Sequence, residues 1–267
     1  MSMKVLMTGA GGRMATVLRP ALCARYGGLT LLSRGEIHDL DPSEQLHVAD
    51  LGDLDATVEA AHGVDAILHL GGIADEAPFD AILHSNIIGT YNVFEASRRQ
   101  RVKRVIFASS NHVTGFYPCY EEISVADPPR PDTYYGTSKA FGEALGRLYY
   151  DKWGIETVSL RIGSFRVAPE DERQLSTWLS YRDGIALVTR ALEARDVGYL
   201  AIYGVSANTR SWWRLGPEAG RLGWAPTDNA EHFAAQLGVA PADTTGTDDD
   251  RRQGGIYVDT DYLGGYW

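Results

Sequence analysis

Cysteine is scarce in this chain of 267 residues: Cys23 and Cys119 are the two present, and neither has a histidine or a second cysteine at the spacing of a zinc site. Two reduced thiols are expected, and a disulfide miniprotein is excluded. Long apolar runs are missing as well. Nothing approaches the roughly 18–20 residues of a membrane span, and the first apolar stretch stops at Thr8-Gly9, too short for a signal peptide. A cytoplasmic protein with no membrane partner is expected. Basic excess is also lacking. Lys and Arg number 25 against 35 Asp and Glu, and the net charge of −10 argues against nucleic acid as a partner. No internal repeat is present. What is there is an ordinary globular composition, 44% apolar and 22% charged, long enough to bury a sizeable core.

Apolar runs of strand length alternate with amphipathic stretches. Strands are predicted at 3–8, 29–32, 45–48, 66–70, 104–108 and 156–162, each short and apolar as a buried parallel strand should be. Helices are predicted over 13–25, 54–62, 79–99 and 135–153; in the first, Met14, Val17, Leu18, Ala21 and Leu22 paint one face. Repeated alternation of this kind predicts an α/β fold, a doubly wound parallel sheet of Rossmann type covered on both faces. Residues 1–165 carry this core. Beyond it the pattern loosens into a helix over 181–193, a strand at 199–203, a helix over 229–236, a linker at 240–252 and an aromatic tail over 256–267. Residues 166–267 therefore read as a small C-terminal region packed on the core, not an independent domain, with the tail against the body or another subunit.

The glycine turn Thr8-Gly9-Ala10-Gly11-Gly12-Arg13-Met14-Ala15 lies between the first strand and the first helix, the context in which such a match carries chemistry. Gly9 permits a sharp turn, Gly12 lets backbone N–H groups approach a pyrophosphate, and the helix start at Arg13 and Met14 presents partial positive charge. A dinucleotide cofactor is predicted. At the end of the second strand an acid binds the ribose hydroxyls of NAD, whereas an arginine pairs with the 2′-phosphate of NADP. Ser33 and Arg34 stand there with Glu36 close by, so NAD is expected and NADP is left open. Asp50-Leu51, after the third strand, lies near an adenine edge, unless Asp50 is the N-cap of the next helix. His69-Leu70-Gly71-Gly72 ends the fourth strand where the middle of the cofactor would pass.

Tyr135-Gly136-Thr137-Ser138-Lys139 puts a phenol and an ammonium one turn apart on one helix face. At about 4 Å and an effective dielectric near 20 the lysine would favour tyrosinate by about 4 kcal/mol, so that a phenol near 10 would titrate near 7. Such a group accepts a hydroxyl proton while hydride leaves the same carbon. Phe107-Ala108-Ser109-Ser110-Asn111-His112 adds hydroxyl, amide and imidazole groups at the end of the fifth strand. In order and spacing, glycine turn, serine cluster and tyrosine and lysine together resemble the short-chain dehydrogenase/reductase superfamily in its extended, sugar-acting branch, over residues 3–165. The resemblance implies that Ser110 polarises the reacting oxygen, that Tyr135 is the acid/base, and that Lys139 lowers its pKa and holds the nicotinamide ribose. Asn86 looks like the structural asparagine of the branch and is counted with Ile162 among the cofactor residues.

Within the branch, Arg161-Ile162-Gly163-Ser164, Arg173-Gln174-Leu175-Ser176-Thr177-Trp178, Leu222-Gly223-Trp224 and Gln253-Gly254-Gly255 resemble the bacterial uronate dehydrogenases. Little chain is left for a domain that would hold a nucleotide sugar. This resemblance implies NAD-dependent oxidation of a uronic acid, D-glucuronate or D-galacturonate, at C1 to the aldarolactone. A homo-oligomer paired through the long helices is expected by the same analogy. Arg173 offers a planar fork for the C6 carboxylate, unless it is a surface arginine among Glu170, Asp171 and Glu172. Asn111, His112 and Ser164 suit ring hydroxyls, and Tyr257 approaches from the tail. Ser33 departs from the acid common in the family. Ala74 departs from a hydroxyl-bearing residue on the substrate side, where water would take up the lost hydrogen bond. Trp178, Trp212 and Trp213 are expected in core or interface. The alternative is a nucleotide-sugar epimerase or reductase; a non-catalytic redox sensor would not need Ser110, Tyr135 and Lys139 together.

Overall fold

The computed structural model describes residues 3–240 and 251–265. The strands are β1 (Val5–Thr8), β2 (Thr30–Ser33), β3 (Gln45–Val48), β4 (Ala66–His69), β5 (Arg104–Ser110), β6 (Glu156–Ile162), β7 (Ser164–Phe165), β8 (Trp178–Leu179) and β9 (Tyr199–Gly204). The helices are α1 (Arg13–Tyr26), α2 (Leu54–Ala60), α3 (Phe79–Ile82), α4 (Gly89–Gln100), α5 (Tyr134–Trp153), α6 (Gln174–Thr177), α7 (Tyr181–Glu193) and α8 (Pro217–Leu222). Seven strands form one parallel sheet in the order β3-β2-β1-β4-β5-β6-β9, and β7 pairs with β8 apart from it. The order reverses between β1 and β4, which opens a crevice at their carboxyl ends.

The central strands are buried on both sides, which is why they read as unbroken apolar runs: Leu6, Met7, Ile67 and Leu68 have no exposed surface. Leu18 and Leu22 of α1 and Leu187, Ala191 and Leu192 of α7 cover one face. Ala60 of α2, Val93 and Phe94 of α4 and Tyr149 of α5 cover the other. Each buried leucine contributes on the order of 1.5–3 kcal/mol, so this double cover is what holds the strand ends that carry the site.

Several elements differ from the sequence expectation. The helix expected over 79–99 is broken in the middle by a π-helical segment, Leu83–Ile88. There Asn86 is turned inward to bond the backbone of Ile73, and the wider turn accommodates it. β5 runs on to Ser110 because Ser109 and Ser110 pair in register with Arg161 and Ile162 of β6. The helix expected over 229–236 is a single 3-10 turn, Ala230–Phe233, capped by Asn229 and set against Leu175 and Trp178. The strand expected at 199–203 is the seventh strand of the main sheet, so the sheet itself draws on residues beyond 165. Of the expected linker, residues 241–250 lie outside the described residues, as do 266–267 of the tail. Arg251 and Arg252 are already tied to the body, through a hydrogen bond from Cys119 N to Arg251 O of 2.8 Å and a bridge between Pro118 and Arg252. Trp178 and Trp213 are core residues.

Candidate active site

Gly9 turns the chain at φ +67°, and a Cβ there would stand 2.7 Å from Cα of Gly71, so the turns after β1 and β4 meet backbone to backbone. Thr8 fastens this corner: its Oγ1 accepts from Gly71 N at 3.2 Å and shares a hydrogen with His69 Nδ1 at 2.7 Å. The cap of α1 is Gly12, with no side chain to satisfy the first N–H groups of the helix; Gly11, Gly12 and Arg13 are exposed, and Met14 is half-buried behind them. The result is an exposed glycine turn leading into a helix N-terminus, the kind of place where backbone N–H groups meet a pyrophosphate. Leu70 and Gly72 continue its wall. Asn86 supports that wall from behind, accepting from Ile73 N at 2.8 Å and donating to Ile73 O and to Ser138 Oγ, both at 3.0 Å. Its amide is thus spent on protein, and its part in the crevice is structural. Leu51 packs beneath Gly71 and Gly89. Asp50 accepts from Gly52 N at 2.7 Å and faces His84 Nε2 at 3.0 Å. The cap of α2 is Asp53, which accepts from Ala56 N at 3.0 Å, so the capping reading of Asp50 does not hold.

Ser110 closes β5, its Oγ accepting from His112 N at 3.2 Å. Tyr135 lies in the first turn of α5, whose start is tied twice. Thr133 Oγ1 accepts from Gly136 N, and Glu76 Oε2 accepts from Tyr135 N, both at 2.9 Å. One turn on, the ammonium of Lys139 donates to Ala108 O at 2.8 Å and lies 5.6 Å from the centre of the Tyr135 ring. The expectation of a phenol titrating near 7 is not met in this unliganded geometry. Burial pushes Tyr135 up to about 12; the Ser110 hydroxyl pulls the other way, and the charges of Asp132 and Asp75 add to the rise. Burial alone brings Lys139 down to about 8. The ammonium faces the ring and a carbonyl rather than the phenolic oxygen, and desolvation disfavours both charged forms.

Beyond Ser110 the chain makes a 3-10 turn, Asn111–Thr114, that forms the outer wall. With its amide oriented to satisfy both neighbours, Asn111 donates to O of Ile162, at the end of β6, at 3.0 Å and accepts from Arg173 Nη2 at 3.1 Å. Arg173 Nε donates to Gln253 O at 2.8 Å. Arg173 is no surface arginine: burial holds its guanidinium below the ordinary value, and it forms no ion pair with a carboxylate among the described residues. Its acidic neighbours are occupied elsewhere, Glu170 with Arg166 and Asp171 with Gln174. His112 stacks on Tyr257, ring centroids 3.8 Å apart, and stands edge-on to Tyr135 at 5.9 Å. Ser110, Asn111, His112, Tyr135, Arg173 and Tyr257 are therefore brought together. Ser164 sits half-buried, sharing a hydrogen with Thr177 Oγ1 at 2.9 Å, and Ala74 is exposed on the loop after β4. Ser33 and Arg34 stand at the far end of the crevice, after β2.

Sequence reasoning missed the residues that hold this wall. The Asp132 carboxylate is fully buried, accepting from His112 Nδ1 at 2.7 Å and Thr133 Oγ1 at 3.0 Å. A Cβ on Gly115 or Gly254 would collide with its carboxylate. In sequence, an aspartate just before a helix looks like a cap and gives no other signal. Asp75 holds the tail, accepting from Tyr262 Oη at 2.8 Å and Gly265 N at 3.1 Å. A separate groove of about 710 Å³ lies at the amino end of the sheet, between α1 and residues 39–44; its Arg19 is paired with Asp39 and Glu44.

A glycine corner at the switch point of a doubly wound sheet, facing a buried serine, tyrosine and lysine, defines a Rossmann-fold enzyme of dinucleotide chemistry. The chain belongs to the NAD dependent epimerase/dehydratase family, whose model matches residues 5–200. Within that family it is similar to uronate dehydrogenases. That of Pseudomonas syringae pv. tomato is 46% identical over 262 residues, spanning 96% of this chain and 93% of its own. The glucuronic acid dehydrogenase structure from Chromohalobacter salexigens superposes with a TM-score of 0.90 at 40% identity, covering 97% of each chain. A point mutant of uronate dehydrogenase from Agrobacterium tumefaciens complexed with NAD gives a TM-score of 0.89 at 40% identity, covering 96% of this chain and 97% of its own.

Proposed function

We propose that the protein oxidises a uronate, D-glucuronate or D-galacturonate, at C1 to the aldarolactone, with NAD supplying the hydride acceptor. The observation that carries this reading is Arg173, a largely buried guanidinium bonded to Gln253 O and to Asn111, the neighbour of Ser110, with no carboxylate at ion-pair distance among the described residues. A buried cation left in this state is stabilised by an anionic substrate group, and the two-pronged fork suits the C6 carboxylate. Residues that fit the cofactor are the cradle of Gly9, Gly11, Gly12, Arg13 and Met14, the wall of Leu51, Leu70, Gly71 and Gly72, and Asp50 toward the adenine. Tyr135 takes the proton of the C1 hydroxyl, Ser110 donates to the same oxygen as charge develops on it, and Lys139 carries the positive charge that favours the phenolate once the crevice is closed. Asn111 and His112 hold ring hydroxyls, Ser164 stands behind them, and Tyr257 covers the ring. Residues 166–267 thus supply the substrate side, although β9 within them completes the sheet.

Nicotinamide reduction with either uronate and NAD⁺ tests the reading. Tyr135→Phe should lower kcat by at least about 100-fold, and Arg173→Met should raise KM for the uronate about tenfold or more. Equal turnover of galactose and galacturonate by the unaltered protein would sink it. Among the described residues no helix is long and apolar enough to cross a membrane; action in the cytoplasm is part of this proposal. We further propose pairing of two copies through α4 and α5, where Tyr91, Leu148 and Trp153 are exposed; a monomer in sedimentation at micromolar concentration would exclude it.

A further inference from the structure

The end of β2 is where a Rossmann site meets the adenosine ribose, and there this chain presents a hydroxyl and a guanidinium instead of a carboxylate. Ser33 is aimed at the glycine turn. Its Oγ lies 3.1 Å from where a Cβ on Gly11 would sit, and it accepts from Gly35 N at 3.4 Å. Arg34, next in the chain, is exposed, and among the described residues it has no hydrogen-bond or ion-pair partner. Its charge is felt by Asp50, two residues beyond β3.

Two carboxylates lie within reach of this spot, and neither takes the place of the missing acid. Asp50 is turned to Gly52 N and His84. Glu36 is exposed beyond Gly35, and it is the next residue, the buried Ile37, that turns back beneath the glycine turn, its Cγ1 4.0 Å from the Cβ position of Gly11. Carboxylates at the end of β2 exclude a 2′-phosphate by like-charge repulsion and reward the free ribose hydroxyls; a serine and an arginine do the reverse.

We propose that this site takes the 2′-phosphorylated cofactor NADP as well as NAD, Arg34 pairing with the 2′-phosphate and Ser33 donating to it. The inference rests on the reading of the crevice as a dinucleotide site and not on the identity of the sugar. It is tested with adenosine fragments that carry no nicotinamide. Calorimetric titration should show adenosine 2′,5′-bisphosphate binding about tenfold tighter than adenosine 5′-monophosphate, the scale of one charge-assisted contact. Arg34→Ala should erase the difference between the two fragments, and Ser33→Asp should reverse it. Weaker or equal binding of the bisphosphate by the unaltered protein, or a loss in Arg34→Ala that falls equally on both fragments, would overturn the proposal. Reduction of NAD⁺ but not NADP⁺ by uronate, with no preference between fragments, would defeat this inference and leave the uronate reading intact. A clear bisphosphate preference in a protein that oxidises neither uronate would do the opposite.

Discussion

If His112 meets a sugar hydroxyl as proposed, Asp132 sets how its ring is presented. The Asp132 carboxylate accepts from His112 Nδ1 at 2.7 Å, which fixes the ring and leaves Nε2 to face the substrate side. Asn in its place could donate to Nδ1 and so impose the other tautomer. Asp132→Asn should therefore raise KM for the uronate several-fold while changing kcat and cofactor affinity much less; a uniform fall in all three would mean that Asp132 is only scaffolding. Tyr135 belongs to the same scale. Its phenol is held up at about 12 by burial, so the base form gains as pH rises, and the rate of oxidation should climb from neutral into alkaline solution. A flat profile would remove Tyr135 from the role of base. Residues of this kind were unequally legible. Ser110, Tyr135 and Lys139 announce themselves because α5 and β5 set their spacing locally, whereas the pairing of His112 with Asp132 joins residues 20 apart across a loop without periodicity.

At the level of elements, β4 ends in a fully buried histidine. His69 lies between Thr8 and Thr90, its Nδ1 2.7 Å from one hydroxyl and its Nε2 3.1 Å from the other. Burial, with the charge of Lys139 adding to it, takes its imidazole down to about 3. An unfolded imidazole titrates near about 6.5. Below that value the unfolded chain binds a proton that the native one does not, so stability is full above it and falls as the solution is acidified toward the native value, by at most about 1.4 kcal/mol per pH unit. Urea unfolding across this window should show a steeper acid loss in the unaltered protein than in His69→Gln; identical slopes would contradict the assignment. Strands and helices were largely readable because each is buried on a fixed period. The π-helical segment was not. Its cause is one inward asparagine hydrogen-bonded to Ile73 and Ser138, and the apolar spacing of the flanking turns carries no trace of it.

At the scale of the whole molecule, residues 251–265 are fastened back onto the body that carries the sheet. Gln253 is buried and acts as the fastening: its Nε2 donates to Glu121 O at 2.9 Å, its Oε1 accepts from Trp213 Nε1 at 2.8 Å, and its backbone N donates to Tyr117 O at 2.9 Å. Gln253→Ala would leave a buried indole N–H and a carbonyl unmatched, at about 1–3 kcal/mol each. Hydrogen exchange should then quicken in residues 251–265 well before it does in the sheet; an equal change in both would show that tail and sheet open as one unit. The aromatic composition of the tail pointed to packing on the body, but the residue that fastens it was not legible, since the bonds of Gln253 to Pro118 and Glu121 join residues more than 130 apart.

Because Arg173 Nε donates to the backbone carbonyl of Gln253, the guanidinium proposed to hold the substrate's acid group is completed by a segment that follows all nine described strands. A polypeptide still emerging from the ribosome can assemble its sheet and its glycine corner while this anchor is slack. On the proposed reading, a chain cut between β9 and Gln253 should hold a nucleotide yet leave its substrate untouched.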